Sequence, residues 1–83
     1  MGEIVVNYAP SEKWTREPDR ASVSALEGQR IIRGYMVPER PLKFAPGRYR
    51  VVGGGSGGSD ALEQEIVVTA GERTTVTLKH KED

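Results

Sequence analysis

Short runs of alternating apolar and polar residues, separated by proline or glycine, constrain this fold more than any other feature of the chain. The runs are rich in valine, isoleucine, threonine and tyrosine, which favour strands. They lie at residues 3–8, 21–26, 31–37, 42–44, 48–52, 61–70 and 74–80. Breaks about every 8 to 12 residues are typical of a β-sandwich. We therefore predict an all-β, antiparallel β-sandwich of about seven short strands.

The same alternation assigns the core, because successive side chains of a strand point to opposite faces. The predicted core residues are Ile4, Val6, Val23, Tyr49, Val51, Ile66, Val68, Val76 and Leu78. Leu62 is predicted to face inward as well. Ser59 or Asp60 could cap a helix over 59–65, but the apolar period there continues into β-branched residues, so no helical turn is expected.

Chain length and composition exclude several classes of function. With 83 residues, one domain with a thin core is expected, which leaves little room for a deep catalytic cleft. Twelve basic and twelve acidic residues create no net field for a nucleic acid. The chain has no cysteine, so disulfides and thiolate metal sites are excluded. No apolar run approaches the roughly 20 residues of a membrane helix, and the first residues do not read as a signal peptide.

Gly53, Gly55 and Gly58 match the spacing G-x-G-x-x-G directly after a strand. A dinucleotide-binding fingerprint also needs a helix opening at the last glycine, within a unit of roughly 30 residues. The next strand arrives too soon for that helix, and no Gly-Lys-Ser/Thr is present. We predict that residues 53–60 form a flexible Gly/Ser hairpin loop, natural or engineered, that binds no nucleotide. Shortening it should leave the fold intact.

No catalytic, metal-binding or cofactor-binding residue is predicted. His80 is the only histidine, and without converging partners it is expected to be solvated. Asp60, Glu63 and Glu65 are spaced as calcium ligands can be, but they lack the pattern of an EF-hand. The favoured interpretation is a solvated strand edge whose charges discourage pairing with another strand.

Trp14, Arg48 and Arg50 are the candidate contacts for a ligand or partner. Arg48 and Arg50 share one strand face and could join Arg30 and Arg33 in a basic stripe, or simply be solvated. Trp14, the only tryptophan, lies in a polar loop. We favour a lid over one end of the thin core; the alternative is a platform for a sugar or a partner.

Residues 44–78, FAPGRYRVV…EIVVTAGERTTVTL, resemble the last strands of prealbumin-like sandwiches, the carboxypeptidase regulatory-like and PEGA domains. The resemblance rests on Pro46-Gly47, Tyr49, Val51 and the turn before Thr74. It implies a non-catalytic structural or interaction module from an exported or envelope protein, hence an extracytoplasmic location. Its partner would be another protein or the rest of the parent chain. The alternative is a carbohydrate- or peptide-binding module that uses Trp14 or an open sheet edge.

Overall fold

A computed structural model describes residues 1–26, 34–54 and 57–83 of the chain. Its strands are β1 Gly2–Tyr8, β2 Arg20–Ala25, β3 Gly34–Met36, β4 Leu42–Phe44, β5 Gly47–Gly54, β6 Gln64–Val68 and β7 Arg73–Leu78. The one helical element among these residues is a 3₁₀ turn over Gly58–Asp60. The described residues contain no helix long and apolar enough to cross a membrane. The predicted turn at 27–30, the start of the predicted strand at 31–33 and Gly55 lie outside the described residues.

The strands form two packed sheets, which confirms the predicted all-β sandwich. One sheet has the order β4-β1-β7 and the other has the order β3-β2-β5-β6. The hairpin between β5 and β6 is antiparallel as predicted, with Tyr49 opposite Ile66. An entirely antiparallel arrangement is wrong for one pair, because β1 runs parallel to β7 with Val6 beside Val76. These first and last strands are joined through the whole intervening chain, so no tight turn requires them to be antiparallel.

The core lies between the two sheets and confirms all nine predicted core residues. Each of the nine has 9% or less of its surface exposed. Ala21, Met36 and Phe44 also belong to this core and were not predicted. Met36 and Phe44 come from three-residue strands, β3 and β4, which are too short to show an alternating pattern. Twelve apolar side chains of the described part of the chain therefore pack between the sheets.

The segment before β6 differs from its prediction in two respects. Residues 58–60 do form a helical turn, which was not expected. Leu62 is 52% exposed, so its predicted inward orientation is wrong. The reason is that β6 begins only at Gln64. Residues 60–62, which precede it, are hydrogen-bonded to residues 79–81 instead of pairing with β5. The period of two seen from Ile66 onward therefore does not extend back to Leu62.

Candidate functional site

One end of the sandwich is closed by two chain segments, residues 58–62 and 79–83, which we call the closed end. The Leu62 N–H donates to the Lys79 carbonyl at 2.8 Å, and the Lys81 N–H donates to the Asp60 carbonyl at 2.8 Å. Ala61 and His80 form an antiparallel bridge between these two bonds. The last five residues, four of which are charged, are therefore docked against residues 60–62.

His80 is buried at the closed end, so the expectation that it is solvated is wrong. Only 3% of its surface is exposed. Its Nδ1 accepts a hydrogen bond from the Glu82 N–H at 3.1 Å, which places the ring proton of a neutral imidazole on Nε2. Nε2 lies 4.0 Å from an Asp60 carboxylate oxygen and has no hydrogen-bond partner among the described residues. The backbone bridge to Ala61 and the ring of Trp14 contribute to its burial.

Trp14 forms a lid over His80. Its ring centroid lies 4.6 Å from that of His80 and 5.6 Å from that of Tyr8, both in edge-to-face geometry. Its Nε1–H donates to the Ala9 carbonyl at 2.9 Å, so the polar edge of the indole is satisfied. Packing of Trp14 on the end of the sandwich is therefore confirmed. Trp14 is nevertheless only partly buried, so part of its ring still faces solvent.

Trp14 emission should report this packing directly, since the chain has one tryptophan. We expect the folded protein to emit at a shorter wavelength than the protein in concentrated guanidinium chloride, because the indole leaves its aromatic neighbours on unfolding. The measurement is a pair of emission spectra, with circular dichroism to verify the two states. Identical emission maxima before and after unfolding would contradict the lid.

We call Gly53, Gly54, Gly57 and Gly58 the glycine segment, and the chain between β1 and β2 the Trp14 loop. The two pack closely together, with Gly57 against Arg16. Gly53 and Gly54 continue strand β5, so the predicted loop over 53–60 is too long at its start. A Cβ on Gly53 would lie 2.1 Å from the Gly58 carbonyl oxygen, and one on Gly57 would lie 2.1 Å from the Arg16 carbonyl oxygen. Both distances are far inside van der Waals contact. Gly53 and Gly57 therefore allow backbone to approach backbone, and we expect that shortening the segment that contains them would destabilise the domain.

A cleft of about 500 Å³ opens beside Trp14, between the end of β1, the loop that follows it and the turn before β4. This volume falls within the range of about 300–1,000 Å³ that is usual for ligand sites. Pro10, Pro18 and Pro38 form part of its wall, together with the rings of Tyr8 and Trp14. Trp14 alone among these residues was predicted from the sequence as a contact for a ligand or partner. For the other residues that line the cleft, the signal in the sequence was the set of prolines, which interrupt the strands on both sides of the cleft.

The charged groups that line the cleft among the described residues are both carboxylates, which accept hydrogen bonds. Glu17 and Glu39 contribute carboxylates, and Asn7 contributes an amide. The Asn7 Oδ1 is buried and has no hydrogen-bond partner among the described residues. The Tyr8 hydroxyl already donates to the Arg20 carbonyl at 2.6 Å. Burial raises the pKa of Tyr8 above its ordinary value, so this hydroxyl keeps its proton and stays committed to that bond.

Glu39 has an unusual backbone conformation at the rim of the cleft. Its φ is 70°, in the left-handed region that residues with a Cβ rarely occupy. The Glu39 N–H donates to the Val6 carbonyl at 2.9 Å, which ties this turn to strand β1. The flanking prolines, Pro38 among them, restrict the neighbouring backbone further. The Glu39 carboxylate is thus carried by a constrained turn.

The remaining sequence candidates do not converge on one site. Arg48 and Arg50 share the outer face of β5, but the Arg50 guanidinium lies 3.0 Å from Glu65 and 3.9 Å from Glu63. Arg50 is therefore neutralised by acidic residues rather than joined to a basic stripe. Arg30 and Arg33 lie outside the described residues.

The acidic cluster predicted at 60–65 is divided between two places. Asp60 forms an ion pair with Lys81 at 3.1 Å at the closed end. Glu63 and Glu65 are exposed at the edge of the second sheet formed by β6, where they flank Arg50. This position agrees with a solvated, charged strand edge. In residues 1–26, 34–54 and 57–83, no group of three or more histidine, aspartate or glutamate side chains is placed to hold a metal ion.

Comparisons with protein-family models, curated proteins and solved structures found no match to this chain. The assignment of a function therefore depends on the contacts of the described residues and on the resemblance of residues 44–78.

Proposed function

We propose that this chain is a non-catalytic protein-interaction module, part of a larger exported or envelope protein, that docks an extended peptide segment in the cleft beside Trp14. The observation that carries the proposal is the construction of that cleft, where aromatic and proline rings form the walls and acceptor groups line the surface. Aromatic side chains contribute large contact areas with few rotatable bonds, and they are enriched at protein interfaces. The cleft therefore offers rigid apolar walls together with polar groups that can orient a peptide.

The environment of His80 supports a non-catalytic role. A catalytic base needs a ring nitrogen within reach of substrate or of a nucleophile. Nδ1 of His80 is occupied by the Glu82 N–H, and the ring is covered by Trp14. Among the described residues, no hydroxyl is hydrogen-bonded to His80. We propose that His80 serves to hold the C-terminal segment in place.

The resemblance of residues 44–78 supports origin in an exported or envelope protein. The three parts of the resembling motif fall on β5, β6 and β7. The turn between β6 and β7 contains Gly71 with φ 79°, a conformation that glycine adopts readily. The first two of these strands form a hairpin, whereas β7 lies in the other sheet. A spacer or assembly role within the parent chain is compatible with this arrangement and does not require the cleft.

Carbohydrate binding is a second candidate, favoured by the position of Trp14 beside carboxylates. Sugar hydroxyls can donate to Glu17 and Glu39, while an indole offers an apolar face. We favour peptide because the Trp14 ring already makes edge-to-face contacts with both Tyr8 and His80. That arrangement leaves less of the ring for stacking on a flat sugar.

Nuclear magnetic resonance titration of the ¹⁵N-labelled protein can decide between these candidates. One series uses short capped peptides with a central lysine, glutamate, leucine or serine, and a second series uses trisaccharides of glucose and of N-acetylglucosamine. Saturable shifts of Asn7, Trp14 and Glu39 amides with any peptide support the proposal. Shifts with trisaccharides alone favour the carbohydrate alternative, and cleavage of any ligand or the absence of shifts with all of them overturns the proposal.

A further inference from the structure

Resting on the proposed function, we propose that the group recognised in the cleft is a cationic side chain, lysine or arginine, in an extended segment of a partner protein. Three independent features of the cleft favour a positively charged hydrogen-bond donor. They are its uncompensated carboxylates, its aromatic rings and its shortage of donor groups.

The charge of the cleft is entirely acidic among its described lining residues. Glu17 and Glu39 lie on separate segments, the loop after β1 and the turn before β4, and both side chains are exposed. Neither carboxylate forms an ion pair with another described residue, and no lysine, arginine or histidine of the described chain lines the cleft. Elsewhere on this surface, acids such as Glu65 and Glu3 are paired with arginine. Glu12 and Glu72 also form no ion pair with another described residue, so Glu17 and Glu39 are distinguished by lining one cleft whose described wall carries no positive side chain.

The rings that line the cleft are suited to a cation. Trp14 and Tyr8 meet nearly perpendicularly, at an interplanar angle of 87°. A lysine ammonium or arginine guanidinium is attracted to the face of an aromatic ring, most strongly to that of tryptophan. The methylene groups of either side chain can also pack against Pro10 and Pro38 while the charged end reaches a carboxylate. One long basic side chain can thus use both the walls and the charge of the cleft.

Most side-chain donors that line the cleft are already used within the protein. The Trp14 Nε1–H donates to Ala9, and the Tyr8 hydroxyl donates to Arg20. The Ser11 hydroxyl bonds to the Asp83 carboxylate and thereby lowers the pKa of Asp83. Prolines contribute no N–H to the wall. A ligand that only accepts hydrogen bonds would therefore find the Asn7 amide N–H groups as the remaining side-chain donors, whereas lysine supplies three donors and arginine supplies five.

The experiment is a titration of the intact protein with three capped pentapeptides that differ only at the central residue of Gly-Ser-X-Ser-Gly. X is lysine, Nε-acetyl-lysine or glutamate. Acetylation keeps the side-chain stem and removes the charge, so it isolates the contribution of the cation. Trp14 fluorescence and the amide shifts of the cleft report binding. We expect the lysine peptide to bind and both other peptides to bind at least about 3-fold more weakly, the range of one exposed ion pair with a cation–π contribution.

Three single variants locate the charge. Glu17→Gln and Glu39→Gln each remove one carboxylate of the cleft without changing side-chain size. Glu12→Gln is the matched control, because it removes the same charge from an exposed position of the same loop that does not line the cleft. We expect the two cleft variants to weaken the lysine peptide by about 3- to 5-fold each and Glu12→Gln to have little effect. Amide spectra of each variant confirm that its fold is unchanged.

The outcomes separate this inference from the proposed function. If the acetylated or the glutamate peptide binds in the cleft as tightly as the lysine peptide, recognition of a cation is wrong and peptide docking remains. Equal weakening by all three variants indicates general electrostatic attraction and also overturns the inference. If no peptide of any charge shifts the cleft resonances, the proposed function fails together with the inference.

Discussion

Gly57→Ala should destabilise the domain by about 2 to 5 kcal/mol, whereas Gly71→Ala should cost only about 1 kcal/mol. The two glycines have nearly the same φ, 80° and 79°. A Cβ on Gly57 would lie 2.1 Å from the Arg16 carbonyl oxygen, whereas a Cβ on Gly71 would meet nothing within 4 Å. The left-handed conformation penalises alanine at both positions, and the steric overlap adds to the penalty only at Gly57.

Equilibrium unfolding in urea, followed by circular dichroism and by Trp14 fluorescence, measures both free energies of unfolding. Gly71→Ala is the internal control, because it isolates the cost of the positive φ. Equal losses at the two positions would show that the glycine segment does not pack against the Trp14 loop. In that case the interpretation of residues 53–60 as a slack connection, which can be shortened freely, would be restored.

Tyr49→Ala should lower the free energy of unfolding by about 3 to 5 kcal/mol. The Tyr49 side chain is 4% exposed, and its ring packs edge-to-face on Phe44 with centroids 5.5 Å apart. Its hydroxyl donates to the Ala45 carbonyl at 2.6 Å. A domain of this length has a total stability of roughly 4 to 12 kcal/mol, so the loss is a large part of the whole.

Tyr49→Phe separates the ring from the hydroxyl. This variant keeps the packing on Phe44 and removes one hydrogen bond, so we expect a loss of about 1 kcal/mol. Urea unfolding of the three proteins supplies the comparison. A Tyr49→Ala loss no larger than that of Tyr49→Phe would mean that the ring contributes little to the core and would contradict its assigned position.

The prediction of the candidate site was less complete than the prediction of the core. Trp14 could be assigned to the end of the sandwich because an exposed tryptophan is unfavourable in a small domain. Glu17 and Glu39 could not be linked, since they are 22 positions apart in a sequence without a repeated motif. His80 was misassigned although it continues the inward period of Val76 and Leu78 in the run 74–80, because a lone polar residue at a strand end was expected to be solvated. Its burial depends on Ala61 and Trp14, which reach it only in the folded chain.

Alternation along the sequence identified the strands and nine of the twelve described residues that form the core. Alternation has a period of two along a strand, so each apolar residue between Arg48 and Leu78 that lies within a strand could be assigned to a face from its neighbours alone. Four features are not encoded in the local sequence pattern and arise only in the tertiary structure. They are the parallel pairing of β1 with β7, the exposure of Leu62, the docking of the C-terminal residues and the close packing of the glycine segment. Each of these depends on contacts between residues far apart in the chain. Such contacts are selected by the simultaneous burial of both sheets, and that burial is a property of the whole fold.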